Sequence, residues 1–231
     1  MEQSALIVAH GSPSNPEQGE ADMEQLAARV AGLMPGWRVR GVTLAAPGRL
    51  EAALAEPGGP VVYPFFMAGG WFTKVELPRR LAAAGQDGLT VRSPFGDSAG
   101  LAGVAVAAIE AEAARLGWRP DEVSVVLAAH GSGRSRVPAE AAARIAAEVR
   151  ATGRFAGVRV GFIEEEPSVA AVAAGLGDKA ICLPLFVARW GHVVTDVPEA
   201  LAEAGFRGAL LPPVGCCDEV PGLIAAALRA R

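Results

Sequence analysis

Lysine, histidine and cysteine are all scarce in this chain of 231 residues, and the cysteine count excludes most. Three cysteines, Cys182, Cys216 and Cys217, are too few and too irregularly spaced for a disulfide framework or a Cys-x-x-Cys metal site, which fits a reducing, cytoplasmic setting. Lys74 and Lys179 are the two lysines, so the positive charge is nearly all arginine; with the abundant alanine, that bias is explained as well by genome composition as by function. The balance of 21 basic against 25 acidic residues leaves a net charge of −4 without a polybasic run, so nucleic acid and anionic membranes are not expected partners. No apolar run reaches the roughly 18 residues of a membrane span. The start, Met1-Glu2-Gln3-Ser4, leads straight into a strand-like segment with no secretory signal pattern. Also missing are a Gly-x-Ser-x-Gly elbow, a Gly-x-Gly-x-x-Gly fingerprint and a phosphate-binding Gly-x-x-x-x-Gly-Lys loop, which argues against a hydrolase or phosphotransferase built on His10 or Ser12.

What the chain has is apolar material, 51% of its residues, enough for a sizeable core in one large domain or two small ones. Short runs rich in valine, isoleucine and leucine alternate with longer segments of helical spacing, the pattern of βα units and parallel sheets. Strands are expected near 5–9, 38–44, 60–67 and 89–93, then near 123–129, 157–163, 179–187 and 207–212. Helices are expected near 20–33, 47–55, 74–84 and 98–116, then near 137–151, 167–175, 193–204 and 218–229.

The two sets repeat at an offset of 120 residues, almost without gaps. His10-Gly11-Ser12 falls on His130-Gly131-Ser132, Pro47 on Pro167, Pro64 on Pro184, Phe66 on Phe186 and Pro78 on Pro198. Two similar halves follow, residues 1–118 and 119–231, with the break expected in Gly117-Trp118-Arg119-Pro120-Asp121, where glycine ends a helix and proline prevents its continuation.

The three histidines, His10, His130 and His192, each close a predicted strand, and ligands of open parallel sheets bind beyond the carboxyl ends of strands. Glu164 ends the second strand of the second half in Phe162-Ile163-Glu164-Glu165-Glu166-Pro167, so one sheet edge would carry His130, Glu164 and His192. Two imidazoles and a carboxylate suit Fe²⁺, Co²⁺, Ni²⁺ or Zn²⁺ better than Mg²⁺ or Ca²⁺. Glu165 and Glu166 are read as turn or helix-dipole residues. In the first half Leu44 and Phe72 are expected to replace Glu164 and His192, leaving His10 without partners. Trp71 and Phe72, beside Gly69-Gly70, are candidates for a surface that covers a flat hydrophobic ligand, whereas Phe65 and Phe66 are explained by core packing. Arg134, Arg136 and Arg189 flank the candidate histidines and are the arginines expected to meet acidic substituents. Cys216 and Cys217 read as small, partly buried hydrophobic residues.

A strand ending in Ala-His-Gly-Ser, a Glu-x-x-Pro after the second strand, and Leu183-Pro184-Leu185-Phe186 followed by Gly191-His192 and Asp196-Val197-Pro198 resemble the sirohydrochlorin chelatases. These class II chelatases of tetrapyrrole synthesis are distant relatives of protohaem ferrochelatase. The resemblance covers essentially the whole chain as two tandem copies. It implies an α/β fold of two similar chelatase-like lobes, each a four-stranded parallel sheet flanked by helices, with a central cleft.

The resemblance further implies that His130, His192 and Glu164 hold the metal, with His10 a fourth candidate catalytic residue. The reaction implied is insertion of a divalent ion, Co²⁺, Fe²⁺ or Ni²⁺, into sirohydrochlorin or a related tetrapyrrole of cobalamin or sirohaem synthesis. The metal is then a substrate, no cofactor is permanently bound, and a duplicated chain is expected to act as a monomer. The competing expectation is a paralogue that binds a tetrapyrrole or a metal without turnover, favoured by the incomplete first half.

Overall fold

The structure, a computed structural model, describes residues 3–230. Two parallel sheets account for the strands. The first has the order β2-β1-β3, from β1 (Gln3–Ala9), β2 (Trp37–Thr43) and β3 (Val61–Pro64). The second has the order β5-β4-β6-β7, from β4 (Ser124–Ala129), β5 (Gly157–Phe162), β6 (Ala180–Pro184) and β7 (Ala209–Leu210). The helices are α1 (Pro16–Gly32), α2 (Arg49–Leu54), α3 (Leu77–Ala83), α4 (Leu101–Arg115), α5 (Val137–Ala151), α6 (Val169–Ala173), α7 (Asp196–Glu203) and α8 (Val220–Arg229).

The central strands explain the unbroken apolar runs. A parallel strand covered by helices on both faces has no solvent side, so alternation gives way to continuous hydrophobicity. Ala5–Ala9 in β1 and Val125–Ala129 in β4 are accordingly all buried. Each fully buried Leu, Ile or Val there contributes roughly 1.5–3 kcal/mol. No helix among the described residues is long and apolar enough to cross a membrane.

The expected fourth strand of the first half, 89–93, is not a strand. Val91 makes a single bridge to Val62, and the backbone bonds Val62 N–H to Thr90 O (2.8 Å) and Arg92 N–H to Val62 O (2.9 Å) are followed at once by Pro94. Proline has no N–H for a further rung, so pairing stops. β7 is the longer counterpart, two residues rather than the expected 207–212, and Pro212-Pro213 ends it in the same way.

The halves also divide differently from the expected cut between 118 and 119. One compact unit comprises residues 1–98 with 218–231, the other 99–217. The reason is where the terminal helices bury their apolar faces. α4 places Leu101, Ala105 and Ile109 in the interior against α5 and β6, so it belongs to the second unit. α8 buries Val220, Ile224 and Leu228 against α1 and β3, and Arg29 holds Asp218 at 2.8 Å, so the end of the chain completes the first unit. The junction at Gly117 is a helix end inside the second unit: Gly117 has φ +71°, and Trp118 N–H bonds Ala113 O at 2.8 Å.

Candidate metal centre

The second unit assembles its candidate ligands at the carboxyl edge of its sheet. The ladder pairs Ala129 of β4 with Phe162 of β5, and two further bonds run past the strand ends: Ile163 N–H to Ala129 O (3.0 Å) and Glu164 N–H to His130 O (2.9 Å). Backbone pairing therefore sets Glu164 beside His130. β6 lies on the other side of β4, with Leu185 N–H bonded to Ala128 O at 2.7 Å, and a tight 3₁₀ turn over Gly191–Val193 returns His192 to the same edge.

The His130 turn needs its glycine. Gly131 has φ +72°, and a Cβ there would stand 2.8 Å from Glu165 Oε1 and 2.9 Å from Phe162 Cβ. Glu165 Oε1 accepts a hydrogen bond from Ser132 N–H at 2.9 Å, joining the turn that carries His130 to the turn that carries Glu164. Glu166 Oε2 accepts from Ser168 N–H at 2.9 Å, and Ser168 caps α6 through Ala171 N–H at 3.1 Å. Of the three consecutive glutamates, Glu164 is the one whose carboxylate joins the histidines.

The geometry is that of a three-ligand set. The Nε2 atoms of His130 and His192 lie 3.1 Å apart with their rings nearly perpendicular at 86°, and Glu164 Oε1 is 3.9 Å from His130 Nε2. One donor atom from each residue falls within 4.8 Å of the others. The far side of each ring has an acceptor that favours a proton on Nδ1. His130 Nδ1 lies 3.0 Å from Gly131 O, and a carbonyl can only accept, so a neutral ring that makes this bond carries its proton on Nδ1 and presents the Nε2 lone pair. His192 Nδ1 likewise faces the carboxylate of Asp196. Two lone pairs so close leave room between them for a cation or a shared proton. With metal–nitrogen bonds of about 2.0–2.1 Å, that separation gives an N–metal–N angle of roughly 100°, between octahedral and tetrahedral values. All three side chains are about half exposed, at 41, 44 and 51%, so an ion held there keeps open positions.

The first unit carries the corresponding frame without the ligands. His10 Nδ1 meets Gly11 O at 2.9 Å, as His130 meets Gly131 O. Edge-on to the His10 ring at 4.3 Å stands Phe72, the counterpart of His192. The counterpart of Glu164 is not Leu44, as expected, but Ala45. β1 pairs Ala9 with Thr43, and Ala45 N–H bonds His10 O at 2.9 Å just as Glu164 N–H bonds His130 O. Leu44 instead matches Ile163, and it is buried in a hydrophobic cluster with Leu6, Val8 and Leu50. The repeat is one residue out of register here because the second unit has an extra residue before its proline.

Phe72 packs partly buried on that cluster and near Phe66, while Trp71 is 58% exposed. Phe65 lies in the core against Phe95. Arg134, Arg136 and Arg189 are exposed on the loops after β4 and β6, with Arg136 Nε 3.6 Å from Glu140. Cys182 in β6 is fully buried, which pushes its thiol up to about 12 and makes thiolate chemistry unavailable to it.

Asp196 was not among the residues singled out for chemistry. A carboxylate four residues after a candidate ligand histidine is the signal that was there to be read.

A protein-family model for CbiX matches residues 124–230, the stretch that contains all three candidate ligands. Over 98% of both chains, at 48% identity and a TM-score of 0.91, the structure superposes on a CbiX described as the terminal enzyme for biosynthesis of siroheme in denitrifying bacteria. The chain belongs to the CbiX family. The family resemblance read from the sequence motifs is therefore correct. This CbiX chain shares its fold with SirB from Bacillus subtilis, solved with Fe³⁺, at 15% identity over 99% of the chain and 95% of SirB, with a TM-score of 0.76. It also matches a multi-domain protein of Deinococcus radiodurans described as structurally similar to chelatases, at 21% identity and a TM-score of 0.72, over 99% of this chain and 55% of that one. A search of curated protein sequences found no significant match.

Proposed function

We propose that this chain is a chelatase that inserts a divalent metal ion, Co²⁺ or Fe²⁺ with Ni²⁺ also accepted, into sirohydrochlorin or a related tetrapyrrole. The observation that carries the reading is the convergence of two imidazole lone pairs and a carboxylate on one point, in a CbiX chain nearly half identical to an enzyme of siroheme biosynthesis. Borderline divalent ions prefer such a mixed nitrogen and oxygen set.

Insertion exchanges one M²⁺ for two pyrrole N–H protons, so the site must give up an ion and take up protons. His130, Glu164 and His192 hold the partly dehydrated ion from one side, and the macrocycle nitrogens displace them as they bind. Each protein ligand released in that exchange has a free lone pair that can accept a pyrrole proton. His10 lacks both co-ligands, since Phe72 and Ala45 occupy their places, so it is not part of the metal-binding set. Arg134, Arg136 and Arg189, exposed on the loops of the same unit, pair with acidic substituents of the ring. The enzyme works in the cytoplasm.

The test is the absorbance of sirohydrochlorin with the purified protein and, in turn, anaerobic Fe²⁺, Co²⁺ and Ni²⁺. Insertion above the uncatalysed rate is expected, and His130→Ala and His192→Ala should return it to background while the fold is retained. Wild-type rates in either variant would remove the assignment of the site. A spectral shift without insertion by the wild-type protein would replace the enzyme by a carrier.

A further inference from the structure

The two histidines are held on their far sides by unlike partners. His130 Nδ1 faces a backbone carbonyl, which is neutral and belongs to the adjoining residue. His192 Nδ1 faces the side chain of Asp196, an anion on a separate element, at the first position of α7. His192 lies in the single 3₁₀ turn Gly191–Val193, where Gly191 has φ +30°.

The first unit is an internal comparison. Glu76 stands 120 residues before Asp196, so a carboxylate is retained where the histidine has become Phe72. Phenylalanine has no N–H to donate, and there the carboxylate takes two arginines instead. Arg79 donates from Nε and an η-nitrogen at 3.0 and 2.9 Å, and Arg80 Nε donates at 2.7 Å. These guanidinium groups hold Glu76 down to about 2. The matching positions in the second unit are Glu199 and Ala200, which have no cation to offer Asp196. The carboxylate at this position follows whichever donor the unit provides.

We infer that Asp196 is a positioning residue: by accepting the Nδ1 proton of His192 it locks the tautomer and ring orientation that aim the Nε2 lone pair at the metal. An imidazole without that acceptor can place its proton on Nε2 and cease to be a ligand. The inference rests on the metal-binding part of the chelatase reading.

The experiment compares wild type with Asp196→Asn and Asp196→Glu by two readouts, Co²⁺ alone as probe and ¹⁵N NMR of the imidazoles at a pH where they are neutral. The asparagine amide keeps the size of the side chain but donates as well as accepts, so it admits the other tautomer. Asp196→Asn is expected to weaken Co²⁺ binding by about 10–100-fold and to move His192 toward the Nε2–H form. Asp196→Glu, which keeps an obligate acceptor, is expected to recover part of that loss and to retain the Nδ1–H form. An Nε2–H tautomer in the wild type overturns the inference without any variant. So does an asparagine variant with unchanged tautomer and Co²⁺ affinity, or a glutamate variant no better than asparagine. A wild-type protein that binds Co²⁺ but inserts nothing ends the chelatase reading and leaves these two readouts to decide on Asp196.

Discussion

Leu44 and Ala45 are adjacent, yet one belongs to the core of the first unit and the other to the edge where ligands would stand. Leu44 is 6% exposed among Leu6, Val8 and Leu50, whereas Ala45 makes the backbone bond to His10 that Glu164 makes to His130. A carboxylate at Leu44 would lose a buried leucine, roughly 1.5–3 kcal/mol, and would add the cost of an unpaired buried charge. Leu44→Glu is therefore expected to destabilise the chain by several kcal/mol, and Ala45→Glu by less than about 1 kcal/mol. Thermal or denaturant unfolding of the two variants measures this, and equal losses would overturn the register. The contact between Asp196 and His192 belongs to the same scale. Their spacing fits a helical pair, but the two residues lie in different elements, and their contact is a product of how the Gly191–Val193 turn meets α7.

Among the elements, helices were more legible than short strands. The segment 137–151 was expected as a helix and is one over the same residues, because a fifteen-residue stretch with Ala141, Ile145, Ala146 and Val149 on one face repeats its signal several times. A two-residue strand such as β7 repeats nothing. α8 is the element whose place matters most for stability. Val220, Ile224 and Leu228 at roughly 1.5–3 kcal/mol each amount to a large share of the 5–15 kcal/mol by which a typical domain is stable. Deleting residues 218–231 is thus expected to expose β1, β2 and β3 to hydrogen exchange while β4, β5 and β6 stay protected. Loss of protection in the second sheet instead would mean that the compact units had been wrongly divided.

On the scale of the whole molecule, one chain carries two sheets with the same order of their first three strands, second-first-third, and, among the described residues, a complete ligand trio in one unit only. The trio draws all three residues from residues 99–217, so the proposed metal site needs no second copy of the chain. A monomer of 23.6 kDa is the expected species, and light scattering coupled to size exclusion measures it. A dimer mass that persists on dilution would show that the duplication does not replace self-association.

By itself the sequence determined that parallel sheets would form, that His10 and His130 would close strands, and that His130, Glu164 and His192 would share an edge, although His192 stands in a 3₁₀ turn eight residues past the end of β6 and does not close it. Those properties are local: apolar runs end where strands end, and parallel strands begun in register finish together. Only the tertiary structure decided that α4 and α8 complete the units they do, that Ala45 rather than Leu44 answers to Glu164, and that Asp196 holds His192. Those outcomes depend on which distant surfaces bury each other and on a one-residue difference in ladder register, and hydrophobic periodicity along the chain is the same for either choice.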